Sequence, residues 1–334
     1  MRVLVTGSAG HLGEALMRLL PEHGVEAIGL DLAASPFTHH VGSITDRAAV
    51  RAAMAGAQAV VHAATLHKPH VATHAKQAFV DTNVAGTLCL LEEAVAAGCP
   101  RVVFTSTTSA FGAALTPAPD EPAAWIDEDV AAVPKNIYGV TKTAAEDLCA
   151  LFARRHGLGC VVLRTSRFFP EADDDAGVRA AFPDANAKAN EFLHRRVDLE
   201  DAAMAHLCAL RSIAGPGFAR YVVSATTPFT RADLAGLRRD PARLVAERVP
   251  AFERVYRALG FRMSADIGRV YANARAREDL GWRPRHDFAS VLAQLERGEP
   301  IGSALARRVG VKAYHDEVFA KGPYPVETIE ASAD

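Results

Sequence analysis

The run RVLVT at 2–6, the turn GSAGHLG at 7–13, the periodic segment EALMRLLPEHG at 14–24 and a second apolar run, VEAIGLD, at 25–31 follow one another without spare residues. Strand, glycine turn, helix and strand in this order make a crossover unit, which places two parallel strands in one sheet. The alternation continues with a short strand near 38–41, a helix from Asp46 to Met54, the strand AQAVVHAA and a long helix through Asn83 to Ala97. RVVFTST at 101–107, a helix over 137–156 and LGCVVLRTS at 158–166 extend it. Such alternation predicts an α/β fold whose doubly wound parallel sheet is covered on both faces.

Past Ser166, the stretch FFPEADDDAGVRAAFPDANAKAN reads as loop. A helix over 197–211, a strand over 219–224 and a turn then helix over 228–237 follow, with Thr230 and Asp233 as a capping pair. Residues 242–260 are again helical. Two lobes are expected, a Rossmann-type domain over 1–166 and a smaller C-terminal substrate lobe and tail over 167–334. Residues 197–225 are available to return a helix and a strand to the first.

Gly7, Gly10 and Gly13 give the spacing GxxGxxG at the end of the first strand. A tight turn there brings backbone amides and a helix N-terminus to a pyrophosphate, which points to a dinucleotide. Asp31 ends the second strand, where its carboxylate accepts ribose hydroxyls and repels a 2′-phosphate, so NAD is expected over NADP. A plain structural turn and a strand-capping aspartate are the competing readings.

Lysine and arginine total 37 against 39 acidic residues, a formal charge of -2, which supplies no field for a nucleic-acid backbone. No run reaches the roughly 20 apolar residues that span a bilayer. Five scattered cysteines suit a reduced interior without disulfides, so a cytoplasmic protein is expected, and no histidine has a metal-ligand set around it.

Tyr138 and Lys142, in YGVTK, stand one helical turn apart and project from one face. A phenol beside an ammonium suits proton transfer at a carbinol, with the lysine lowering the tyrosine pKa and reaching the nicotinamide ribose. Ser106, Thr107 and Thr108, at the end of RVVFTST, offer a hydroxyl to orient the reacting oxygen.

TGSAGHLG at 6–13, VVHAAT at 60–65, TNVAGTLCLLEEA at 82–94, VFTSTTSAFG at 103–112, YGVTK at 138–142, LRTSRFF at 163–169, RRVDLEDAAMAHL at 195–207 and AREDLGWRP at 276–284 together resemble one family. It is the extended short-chain dehydrogenases/reductases of the NAD-dependent epimerase/dehydratase group, whose best-known members are sugar-nucleotide 4-epimerases. The resemblance implies Tyr138 as acid and base, Lys142 as its helper and Thr107 as the catalytic hydroxyl. It matches Gly7, Gly10, His11, Leu12 and Gly13 to the pyrophosphate loop and Asp31 to the ribose acid. Ile44, Ala63, Ala64, Asn83 and Thr105 match positions lining adenine, ribose or nicotinamide. His67 and His70 are expected at the pocket mouth. A homodimer built on the helices around 83–97 and 137–155 is also implied.

Substrate-side matches are fewer. Thr108 and Ser109 stand where dehydratases of the family carry an acidic pair, which argues against water elimination. The usual asparagine after the strand over 158–166 is replaced by Arg167 and Phe168. Arg167 either binds a phosphate or carboxylate or pairs with Asp173, Asp174 and Asp175. Arg195, Arg196 and Arg262 are further candidates for a substrate anion, whereas Asp198 reads as structural. The tail from 300 to 334, with Val311, Tyr314, Val318, Phe319, Tyr324 and a rigid turn at GPYP, covers either the cofactor lobe or a neighbouring subunit. The sequence is therefore read first as an NAD-dependent oxidoreductase acting at a sugar or sugar-like carbinol. A nucleotide-sugar 4-epimerase is the alternative, and a non-catalytic NAD-binding module the third reading.

Overall fold

In the computed structural model, residues 1–312, 315, 319 and 322–325 are described. Seven strands form one all-parallel sheet in the order β3-β2-β1-β4-β5-β7-β8. They are β1 (Arg2–Thr6), β2 (Glu26–Asp31), β3 (His40–Val41), β4 (Ala59–His62), β5 (Arg101–Thr107), β7 (Gly159–Thr165) and β8 (Gly217–Val223). The remaining strands, β6 (Ala124–Ile126) and β9 (Arg269–Tyr271), pair in parallel beside it.

Two-residue periodicity sorts the strand side chains between two cores. Val3 and Val5 of β1 enter one with Val61 of β4 and Val103 of β5, where α1 (His11–Glu22) and the helix Leu199–Ser212 cover the sheet. Leu4, Val60, Val102 and Phe104 enter the other, beneath α2 (Arg47–Met54), α3 (Gly86–Ala96) and α4 (Ile137–His156). Each such fully buried aliphatic side chain contributes about 1.5–3 kcal/mol relative to exposure. The strand–helix pair over 197–225 thus lies with this sheet: β8 is its edge and the helix Leu199–Ser212 packs on α1.

Three sequence expectations change. The stretch after Ser166 holds the helices Ala176–Ala181 and Asp184–Phe192, the second burying Ala187, Ala189 and Phe192. Helix 242–260 is split into Pro241–Arg248 and Phe252–Leu259, since Pro250 lacks the amide that a continuous helix needs. Asn83 lies in a widened π-helical turn, Val80–Ala85, ahead of α3. Thr230 and Asp233 do form the expected capping box.

Of the tail, Val311 is exposed, Phe319 packs against His315, GPYP bends, and Tyr324 is buried. Tyr314 and Val318 lie outside the described residues. Among the described residues no helix is long and apolar enough to cross a membrane.

Candidate active site

All seven strands of the main sheet run the same way, so their C-terminal ends share one edge, and the order reverses between β1 and β4. A crevice at such a reversal is where ligands enter this architecture. A cavity of about 650 Å³ opens there.

Gly7 leaves β1 with φ +74°, and a Cβ on it would stand 2.7 Å from the Ala64 amide nitrogen. A Cβ on Gly13 would stand 1.8 Å from the Gly7 carbonyl oxygen, so both glycines are needed for α1 to fold back against the turn. Gly10 begins α1 and no side chain caps the helix, which leaves first-turn amides for an anion. Asp31 is fixed by two backbone donors, Ala9 N–H to Oδ2 and Ala33 N–H to Oδ1, both at 2.9 Å. Gly7, Gly10, Gly13, His11, Leu12, Asp31, Ile44, Ala63, Ala64 and Thr105 all line the cavity. This cradle and its acceptor fit a dinucleotide.

Below the cradle, the hydrogen bonds run in one direction. Thr87 donates to the Asn83 carbonyl at 2.6 Å, so its oxygen accepts from His62 Nε2 at 3.0 Å. His62 Nδ1 then accepts from Thr6 at 2.7 Å, and Thr6 accepts the Ala64 amide at 3.2 Å. Burial lowers His62 to about 3, keeping the ring neutral as this chain requires. Asn83 does not line the cavity. It sits behind, accepting Leu66 N–H and Thr65 O–H and donating to Leu66 O and Thr141. His206, likewise lowered to about 4 by burial, donates from Nδ1 to the Ala202 carbonyl, so its Nε2 accepts from Thr105 at 2.8 Å.

α4 starts at its cap, Asn136, whose side chain accepts Gly139 N–H at 3.0 Å. Tyr138, Lys142 and Glu146 then fall on one inward face at four-residue spacing, all buried. Thr107 accepts Ser109 N–H at 3.1 Å, and its hydroxyl lies beside the Tyr138 phenol, whose pKa it draws down. Burial nevertheless pushes the phenol up to about 12, with Thr107 pulling the other way. Lys142 lies 4.0 Å over the Phe104 ring and is lowered to about 7 by burial, against the attraction of Glu146. Although Lys142 stands one turn away, the phenol lies above its ordinary value and not below it as the spacing predicts. Glu146 is held by Arg164 at 2.7 and 3.0 Å, Arg220 at 2.8 Å and Ser106 at 2.5 Å.

Toward the second lobe, Thr108, Arg167, Phe168 and Arg195 reach the cavity. Arg167 is committed to Asp173 at 3.0 Å, Asp174 at 3.2 Å and the Ala172 carbonyl, which is the pairing alternative. Arg195 pairs with Glu191 at 2.8 Å, and Arg196 is buried between Glu191 and the Phe169 carbonyl. Arg262 is exposed outside the cavity, donating to the Ala181 carbonyl at 2.5 Å over Phe182. His67 and His70 are at the cavity, with His67 held well below its usual range by burial. His11 is buried 3.1 Å from Glu171.

Sequence reasoning missed Lys68, Arg269, Tyr271 and Lys312, which also line the cavity, as do Asp174, expected only as a partner of Arg167, and Tyr324 of the tail. For Arg269 and Tyr271 the alternation R–V–Y was a usable signal, since it sets both on one face of β9. Away from the cavity, Asp198, Glu200 and His286 converge among the described residues. Asp198 is spent as the expected structural cap, accepting Glu200 N–H and Ser303 N–H, and Glu200 pairs with Arg285.

The sequence signature of the NAD dependent epimerase/dehydratase family matches residues 3–223, about two thirds of the chain. The chain belongs to this family. Membership makes it an NAD-using enzyme of the epimerase and oxidoreductase type. It is 26% identical to a UDP-glucose 4-epimerase of Streptomyces lividans, across 87% of this chain and 94% of that protein. It is 32% identical over 166 residues to the uncharacterized protein y4nG of Sinorhizobium fredii, a match spanning 48% of this chain and only 39% of that protein. In fold it resembles a short-chain dehydrogenase/reductase superfamily protein from Agrobacterium tumefaciens solved with bound NAD. That likeness has TM-score 0.65 and 22% identity, covering 92% of this chain and 97% of the other.

Proposed function

We propose that the protein is a nucleotide-sugar 4-epimerase that retains its NAD. The observation carrying this is the buried Tyr138–Thr107 pair in the same cavity as the glycine cradle, within a chain alike almost end to end to a UDP-glucose 4-epimerase. The likeness favours epimerisation over the net sugar oxidation that the sequence suggested first. NAD, when bound, supplies reversible hydride acceptance.

The chain's own residues do the rest. Thr107 orients the sugar hydroxyl, Tyr138 takes its proton and later returns it once the positive charges of Lys142 and of the bound nicotinamide have offset the burial that keeps the phenol protonated, and Lys142 holds the ribose beside it. Gly7, Gly10, Gly13 and the first turn of α1 bind the pyrophosphate, and Asp31 the adenine ribose. Burial of Tyr138 keeps water from the proton path. Thr108 and Ser109 leave no acid–base pair for elimination. The lobe division at residue 166, with residues 197–225 returned to the cofactor half, follows the same reading.

Leu88, Val140 and Leu151 are exposed on the two helical segments expected to pair subunits, which supports a homodimer. The test is to denature purified protein and assay the released NAD, and to follow UDP-glucose and UDP-galactose interconversion. Stoichiometric NAD and conversion without free NADH are expected. NADH accumulating in step with product would restore the oxidoreductase reading.

A further inference from the structure

The cations lining the cavity divide into two groups. Arg167 is paired with Asp173 and Asp174, Arg195 with Glu191 and Asp173, Lys68 with Asp174 and Lys312 with Glu14. Among the described residues, Lys142 and Arg269 line the same cavity in no ion pair, Lys142 over the Phe104 ring and Arg269 on two carbonyls. Lys142 already has a part beside Tyr138. Arg269 has none.

Arg269 is well placed for one. Its Nη1 donates to the Gly112 carbonyl at 3.1 Å and its Nη2 to the Ala114 carbonyl at 2.6 Å. These bonds use two of the five guanidinium donors and fix the head group without neutralising it. The anchoring turn continues directly from Thr107, Thr108 and Ser109. It also abuts the first turn of α4: a Cβ on Gly139, the residue after Tyr138, would stand 3.0 Å from the Ser109 carbonyl oxygen. Tyr271, on the same face of β9, stacks on Phe111 of this turn with ring centroids 5.9 Å apart. A half-buried, rigidly held and uncompensated guanidinium beside the reacting end is an oxyanion receptor.

Resting on the epimerase reading, we infer that Arg269 selects a substrate whose sugar carries an oxyanion next to the reacting carbon, a carboxylate or a phosphate ester. At C4 of a hexose the adjacent carbon bears the C6 group, so oxidised or phosphorylated C6 would bring that charge to Arg269.

The NAD-loaded protein is titrated calorimetrically with UDP-glucuronate against UDP-glucose, which share the diphosphate handle, and with glucose 6-phosphate against glucose. Wild type binds the charged member of at least one pair at least ~10-fold more tightly, in line with a charge-assisted hydrogen bond. The pair showing it identifies carboxylate or phosphate. In Arg269→Gln the preference falls within twofold, and Arg269→Lys restores part of it, with NAD affinity and unfolding midpoint near wild type. No preference in wild type, a preference surviving in Arg269→Gln, or an equal loss for UDP-glucose and UDP-glucuronate would each overturn the assignment. The last outcome would give Arg269 to the diphosphate. Failure of the epimerase reading shows separately, as absent retained NAD or as no interconversion in either pair, UDP-glucose with UDP-galactose or UDP-glucuronate with UDP-galacturonate.

Discussion

Along the half of the cleft bounded by β1, β2 and β4, the ligand-facing groups are backbone amides and one carboxylate, Asp31, held by two amides. Across the other half, beyond β5 and β7, they are charged side chains, most already paired with one another. The first half is specified locally, by where glycines fall after a strand. The second depends on which of many charges remain unspent once the chain has folded, a property of three-dimensional pairing. Between them lies the Tyr138–Lys142–Glu146 stripe of α4, where burial displaces the ionisations of both Tyr138 and Lys142.

That central stripe should give the largest effects. Tyr138→Phe removes the only proposed proton carrier while leaving its packing, so turnover should fall about 10³-fold. NAD content and unfolding midpoint should stay within error. Undiminished turnover would detach the chemistry from the phenol and leave the two halves joined by fold alone.

Lys142 separates function from stability. Its folded value, about 7, lies below the usual 10.5 because burial disfavours the charge. Below pH 7 folded and unfolded chains both hold the proton, so folding bears the full cost of the buried ammonium. As pH rises from 7 towards 10.5 the folded chain releases the proton first and the cost is relieved. Lys142→Met should therefore stabilise cofactor-free protein at pH 6 by about 2–4 kcal/mol, with the gain shrinking towards pH 10, while turnover is lost. Thermal unfolding across this pH range reads it, and a destabilised variant at pH 6 would show that the ammonium is better solvated than its surroundings indicate.

In the dinucleotide half, Asp31→Ala should weaken NAD binding about 10–30-fold, the loss of a charged acceptor, and weaken NADP binding less. Equal losses for the two cofactors, read by fluorescence titration, would reduce Asp31 to a fastening of the Ala9 and Ala33 amides.

This contrast also sets what could be read in the sequence. The alternation of strands and helices, the glycine turn and the Tyr138–Lys142 face follow from short-range periodicity, and each lies where spacing puts it. Asn83 matched a lining position but supports Leu66 from behind, within a π-helical turn that no residue pattern announced. Arg262 and Arg269 are both arginines shortly before the LGW segment. Only the pairing of β9 with β6, drawn from far upstream, turns Arg269 into the cavity and leaves Arg262 outside. The helix Asp184–Phe192 was hidden by acidic and proline-bearing surroundings, although its Ala189 and Phe192 pack in the second lobe's core.

The smallest expected effect concerns Arg167, which stands where a substrate contact was one of two readings. Removing it leaves Asp174 with Lys68, Asp173 with Arg195, and Glu191 with Arg195 and Arg196. No carboxylate is orphaned, so Arg167→Leu should cost only about 1–2 kcal/mol, well under the loss from stranding a buried charge. Glu191, held at about 2 by these arginines against the opposing effect of burial, contributes stability that is present above its ordinary range near 4.5 and lost as pH falls towards 2. The variant should therefore unfold in acid at a slightly higher pH than wild type. Its discrimination between UDP-glucuronate and UDP-glucose should be unchanged. If Arg167→Leu instead kept its acid midpoint and lost that discrimination, the paired and unpaired arginines would exchange roles, and the division of the cleft drawn from their ion pairs would fail at the residue where it is most exposed to test.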